Sequence, residues 1–155
     1  MEYILIRHGK TDANRLTRAA FGKQGAPLNE LGRKQASQLH DQLLKLNVKR
    51  NDPVAVSELL RTHETAQAAG LQNLVINKLL NEVQTPDPHK TNELVLRGEL
   101  PPEALTAAKK LLRNPPKEKV WFTHGLVIAA VLVELGQMVP GKLVPDFCEV
   151  VIIRL

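Results

Sequence analysis

Short β-rich runs alternate with amphipathic helical patterns along the whole of this chain. Glu2 to Arg7 is a β-rich run ending before a glycine and reads as a buried strand. Pro27 and Asn29 introduce a helix, with Asn29 as its N-cap and Ala36, Leu39, Leu43 and Leu46 at alternating three- and four-residue spacing. Pro53 to Val56 reads as a second strand, Ser57 to Ala69 as a helix capped by Ser57 and closed by Gly70, and Leu74 to Ile76 as a third strand. Residues 81–100, punctuated by Pro86, Pro88 and Gly98, read as a loop with room for a short helical piece. Pro101-Pro102 and Pro115-Pro116 bracket a helix whose Ala104, Leu105, Ala108, Leu111 and Leu112 form one apolar stripe. A strand from Lys119 to Thr123, a helix from Gly125 to Leu135 and a strand from Cys148 to Leu155 complete the pattern. Five strands separated by four helical patterns predict an α/β fold, a three-layer α/β/α arrangement around a mainly parallel central sheet. Ligands of such sheets bind beyond the carboxyl ends of the strands, so the chemistry is to be sought in the loops there.

The chain has 155 residues, 43% of them hydrophobic, which suits one domain spanning residues 1–155 with its own core. Its only cysteine, Cys148, cannot close an intrachain disulfide, and no Cys/His quartet at structural zinc spacing occurs. Stability must therefore come from packing, and Cys148 is expected in the core. The longest apolar stretch, Leu126 to Val133, ends at Glu134 and is shorter than the roughly 18 to 20 residues that span a bilayer. Met1 to Arg7 has neither a basic leader nor a small-residue cleavage site, so a cytoplasmic location and no membrane partner are the expectation.

The net charge of +5 is unevenly placed: residues 1–50 carry ten Lys/Arg against four Asp/Glu, and the rest carry eleven against twelve. A local positive field suits an anionic ligand. The five aromatic residues do not interleave with basic ones as a stacking platform for single strands requires, so no nucleic acid partner is expected and a small phosphorylated substrate is favoured.

Three strands end in polar residues of one theme: Arg7-His8-Gly9, Ser57 with Arg61, and Thr123-His124-Gly125. Arginine forks match phosphoryl oxygens bidentately and stay charged at any working pH. Neighbouring arginines also disfavour protonation of an imidazole, leaving a neutral histidine with a free lone pair. A backbone carbonyl accepting from the other ring nitrogen would fix the tautomer, and a sharp turn at Gly9 would help. The helix starting at Gly125 would add backbone N–H groups to the same anion site.

Arg7-His8-Gly9-Lys10-Thr11-Asp12-Ala13-Asn14 resembles the RHGxTxxN signature of the histidine phosphatase superfamily, also called phosphoglycerate mutase-like. Ser57 to Ala66 is similar to that family's S-x-L-x-R-x-x-x-T-A block, Thr123-His124-Gly125 to its second histidine motif, and Pro27 to Ala36 to its P-L-x-x-x-G-x-x-Q-A helix start. The four blocks occur in the family's order and point to its short phosphatase branch. The resemblance implies that His8 is transiently phosphorylated and that Arg7, Arg61 and His124 bind the phosphoryl oxygens, with Thr11 and Asn14 as supporting contacts. It also implies a carboxyl general acid after the third strand, where Glu82 stands, with Asp87 and Glu93 as alternatives. No metal and no cofactor are implied.

The expected function is a metal-independent phosphatase for phosphomonoesters. A phosphatase for phosphohistidine on proteins, hence a phosphorylated protein as partner, is the alternative, and an idle phosphate-binding module of the same fold is a third. A mononuclear metal hydrolase is disfavoured because the arginines would repel a divalent cation. Specificity is expected in residues 10–26 and 81–100, with Lys10 at the pocket mouth attracting a second anionic group. His40, His63 and His89 read as surface or structural. Substrate identity and oligomeric state stay open.

Overall fold

The computed structural model describes residues 1–155. Five strands form one sheet: β1 (Glu2–Arg7), β2 (Val54–Val56), β3 (Leu74–Ile76), β4 (Val120–Thr123) and β5 (Val150–Arg154), in the order β3-β2-β4-β1-β5. The first four run parallel, and β5 joins β1 antiparallel at the edge. The expected mainly parallel α/β sheet is the one found.

Successive strand residues point to opposite faces, and each face has its own core. Ile4, Ile6, Val54, Val56, Val120 and Phe122 pack on one side with α1 (Glu30–Ser37), α2 (Leu39–Lys45) and α3 (Leu60–Ala68). Leu5, Ala55 and Trp121 pack on the other with α5 (Pro102–Arg113) and α6 (Gly125–Leu135). Helix α6 is buried from Gly125 to Leu132, which is why its sequence is apolar all round. No helix is long and apolar enough to cross a membrane.

Several local expectations shift. The helix expected from Asn29 onward divides at Gln38, where the Ser37 hydroxyl donates to the Lys34 carbonyl that the Gln38 N–H also needs. Asn29 does cap it, accepting from Gly32 N at 2.8 Å. Helix α3 starts at Leu60, so Ser57 lies before the helix and is not its N-cap. The 81–100 segment carries a full helix, α4 (Pro88–Leu96), capped by Asp87, whose side chain accepts from Lys90 N. The last strand begins two residues later than expected because Cys148 adopts a left-handed φ of 58° while its N–H donates to Arg7 O.

Candidate functional site

The sheet order brings the histidine loops together. Arg7 pairs with Thr123 at the carboxyl ends of β1 and β4, so His8 and His124 leave neighbouring strands side by side, with ring centroids 5.2 Å apart. β2 lies on the other flank of β4, which brings Ser57 to His124.

His8 is 6% exposed, and its Nδ1 lies 2.7 Å from Gly9 O. A carbonyl only accepts, so Nδ1 carries the hydrogen and the lone pair is on Nε2. Arg61 Nε donates to that lone pair at 3.2 Å. Burial above all, then the charges of Arg61, Arg7 and Arg18, lower the His8 pKa to about 3, so the imidazole is neutral at ordinary pH. Arg61 is itself lowered by burial to about 10, with Glu82 opposing, and remains a cation at neutral pH.

Both motif glycines serve close approach. A Cβ on Gly9 would stand 2.7 Å from Gly32 O, and one on Gly32 would stand 2.1 Å from Lys10 O. The Gly9 turn has no positive φ; glycine is needed there because the loop after β1 lies directly on the start of α1. Thr65 ties the same loop to α3: its hydroxyl donates to Arg61 O at 2.6 Å and accepts from Gly9 N at 2.9 Å.

Arg7 Nη1 donates to Pro145 O at 2.8 Å, and its guanidinium carbon lies 4.0 Å from the centre of the Phe147 ring. Its Nε is buried without a partner, as is His124 Nδ1. His124 is fully buried, with Nε2 3.0 Å from Ser57 Oγ and Nδ1 3.7 Å from Glu82 Oε2. Burial holds its pKa well below the ordinary value, helped by His8 and the arginines.

Glu82, 8% exposed, accepts from Val83 N through Oε1. Its Oε2 faces Arg18 at 3.6 Å and Arg61 at 3.8 Å. Its loop is held by Thr123 Oγ1, which donates to Leu80 O at 2.7 Å, and by the reciprocal pair of Glu58 and Asn81.

These groups surround a cavity of about 310 Å³, within the range of small-ligand sites. Arg7, His8, Thr11, Asn14, Arg61, Glu82 and Gly125 line it. His124 stands behind this lining. Thr11 Oγ1 donates to Ala13 O, and Asn14 Oδ1 accepts from Leu16 N and Thr17 N, so both side chains also hold the loop that forms the wall. Lys10 is exposed and does not line the cavity. Neither does Asp87 or the exposed Glu93. No three His, Cys, Asp or Glu side chains are grouped as metal ligands. Cys148 is buried in the core, its thiol pushed up to about 12 by burial. His63 Nε2 lies against Ser57 O and His40 Nδ1 against Ala69 O.

The lining residues not foreseen include Arg15, Arg18, Asn92 and Phe147. The excess of positive charge in residues 1–50 and the choice of 10–26 as a specificity segment pointed toward the two arginines. Asn92 falls in the other specificity segment, 81–100, where α4 places it, whereas nothing local marks Phe147, which lies in the unpatterned stretch before β5.

The chain matches the histidine phosphatase superfamily (branch 1) over residues 3–109. It belongs to that superfamily. No curated protein matches this histidine phosphatase superfamily member by sequence. Among solved structures, protein TTHB049 of Thermus thermophilus is 29% identical with a TM-score of 0.68, over 99% of this chain and 93% of that one. A phosphoserine phosphatase of Entamoeba histolytica, solved with 3-phosphoglyceric acid, shares the fold at 21% identity and a TM-score of 0.64, over 88% and 80% of the two chains. A mycobacterial glucosyl-3-phosphoglycerate phosphatase, solved with VO3, does so at 21% identity and 0.58, over 89% and 81%.

Proposed function

We propose that this chain hydrolyses phosphomonoesters without a metal, through a phosphohistidine on His8 Nε2. The observation that carries the reading is the unprotonated Nε2 of a buried neutral imidazole, its Nδ1–H held by Gly9 O and its lone pair met by Arg61, with further arginines around it. The family and the phosphatases that share its fold support a hydrolase role.

In the first step, Arg61 releases the Nε2 lone pair and turns its N–H groups to the phosphoryl oxygens. Nε2 attacks phosphorus, the bond to the substrate oxygen breaks, and Glu82 supplies the proton that the departing oxygen takes up. In the second, Glu82 removes a proton from water as the water oxygen attacks phosphorus. The N–P bond breaks, inorganic phosphate leaves, and the electron pair returns to Nε2. Arg7, Arg61 and the N-terminal amides of α6 at Gly125 face the charge that spreads over the phosphoryl oxygens. His124 Nδ1 would join them once an anion displaces Glu82 from in front of it. Thr11 and Asn14 hold the wall. The cationic lining disfavours a divalent cation, which supports a metal-free reaction.

The test is release of phosphate from para-nitrophenyl phosphate in excess chelator, with rapid acid and base quenches. Wild type should turn over with chelator present and trap an acid-labile, base-stable phosphate, and His8→Ala should lose about 10³-fold or more in rate. Chelator-sensitive turnover, or turnover surviving in His8→Ala, overturns the reading. In single turnover, Glu82→Gln should slow phosphoryl transfer from an alkyl phosphomonoester to His8 by about 10² to 10⁴ while sparing that transfer from a phosphoramidate, whose nitrogen leaves more readily.

A further inference from the structure

The reaction above leaves two cations of the cavity unused. Arg15 and Arg18 line it together with Arg7 and Arg61, so four guanidinium groups face a single carboxylate, Glu82. Arg18 stands 3.6 Å from Glu82 Oε2, whereas Arg15 has no carboxylate within ion-pair distance. Arg15 is half-buried; its burial lowers its pKa, and its Nη1 donates to the side-chain oxygen of Asn92 on α4. That bond fixes the plane of a cation whose one nearby counter-charge, Glu82, is shared with three other guanidinium groups. A phosphomonoester brings at most two negative charges, so positive charge remains uncompensated even with substrate bound, and leaving a partly desolvated cation without a counter-charge is costly.

The space for a counter-charge is present. A second cavity of about 430 Å³ shares Arg15, Arg18, Arg61 and Glu82 with the first and extends past them to Lys23 and Thr85. Glu82 is its only carboxylate also. The two cavities therefore form a continuous cationic cleft, with His8 in one lobe and an arginine pair between the lobes.

We propose that the substrate carries a second anionic group, a carboxylate or another phosphoryl group, which Arg15 and Arg18 hold in the adjoining lobe while the first phosphoryl group faces His8. This rests on the phosphatase reading for the reacting end, but the second site is a binding property that can be measured without turnover. Asn92 is a positioning residue that orients Arg15. The exposed Lys10 lines neither cavity and takes no part.

The test uses full-length protein and ligands that it cannot hydrolyse: methylphosphonate with one anionic head, 3-phosphonopropionate with a carboxylate added, and methylenebisphosphonate with a second phosphoryl group. One or two additional charge-assisted hydrogen bonds correspond to about a 10- to 100-fold gain in affinity, so calorimetry should show at least one two-headed ligand binding tighter by that factor. Which ligand gains more identifies the second group. Arg15→Gln, in a loop outside both cores, should reduce that preference about tenfold or more, and Arg15→Lys should restore part of it. Equal affinities in wild type, or a preference unchanged in both Arg15→Gln and Arg18→Gln, would overturn the proposal. A two-headed preference in a protein that turns over no aryl phosphate would uphold this site and sink the phosphatase reading; turnover without the preference would do the reverse.

Discussion

Ser57 sits where two hydroxyls and an imidazole meet. Its Oγ is 2.9 Å from Thr62 Oγ1 and 3.0 Å from His124 Nε2, and Thr62 Oγ1 is also 2.9 Å from Leu59 O. The hydrogens can be arranged in two ways. If Thr62 donates to Leu59 O, Ser57 donates to Thr62 and His124 Nε2–H donates to Ser57, which leaves Nδ1 bare. If Thr62 donates to Ser57, Ser57 donates to Nε2 and Nδ1–H becomes a donor toward the space now held by Glu82. An anion within reach of Nδ1 selects the second arrangement. Nitrogen-15 spectra should therefore show the Nδ1–H tautomer of His124 when vanadate or phosphate is bound. Ser57→Ala leaves buried Nε2 without a partner, and urea unfolding should report a loss of about 1–3 kcal/mol. His8 behaves differently: its Nδ1–H is held by a carbonyl, so its resonances should report one neutral tautomer from pH 8 down to pH 5, where an ordinary imidazole would have titrated near 6.5.

Elements carry these side chains through a few close backbone approaches. The loop after β1 is pressed on the start of α1 by Gly9 and Gly32, hung from α3 by Thr65, and joined to α1 again through Gln35, whose Oε1 accepts from Lys10 N at 3.1 Å. Gly32→Ala would put a methyl group 2.1 Å from Lys10 O, a backbone atom that can yield only if the loop moves. The expected cost is about 3 kcal/mol by denaturant midpoint, with a fall in kcat because the displaced loop carries His8. Thr65→Val keeps the shape but leaves Gly9 N–H without its acceptor, so a smaller loss of about 1–3 kcal/mol is expected. Unchanged stability in both variants would show that this approach does not hold the site.

For the molecule as a whole, burying two neutral imidazoles makes folding depend on pH. Both histidines are depressed below their unfolded value, His8 to about 3. Between that value and roughly 6.5, the unfolded chain takes up protons that the folded chain refuses. Their contribution is therefore fully present above about pH 6.5 and is lost as pH falls, by up to about 1.4 kcal/mol per pH unit for each histidine. Denaturant titrations at pH 7.5, 6 and 5 should show this loss, and in His8→Asn the slope between pH 6.5 and 5 should shrink. An equal slope in both proteins would mean that His8 titrates normally in the fold.

Local physics made much of this protein legible in its amino-acid order. Short β-rich runs marked β1, β2 and β4, Asn29 and the proline pairs marked helix ends, and Arg7, His8, Arg61 and His124 stood out because phosphoryl chemistry needs cationic forks beside a neutral imidazole. Period and capping are properties of neighbouring residues, so a linear reading reaches them. Where Ser57 points, whether 88–96 is helical, and which cations share the cleft with His8 were settled only in three dimensions. The insertion of β4 between β1 and β2 sets His124 beside both His8 and Ser57, and the bond from Arg15 to Asn92 joins residues 77 positions apart. Such neighbours are selected by burying both faces of a central strand and by pairing donors with acceptors across the cleft, and neither requirement leaves a trace in local spacing.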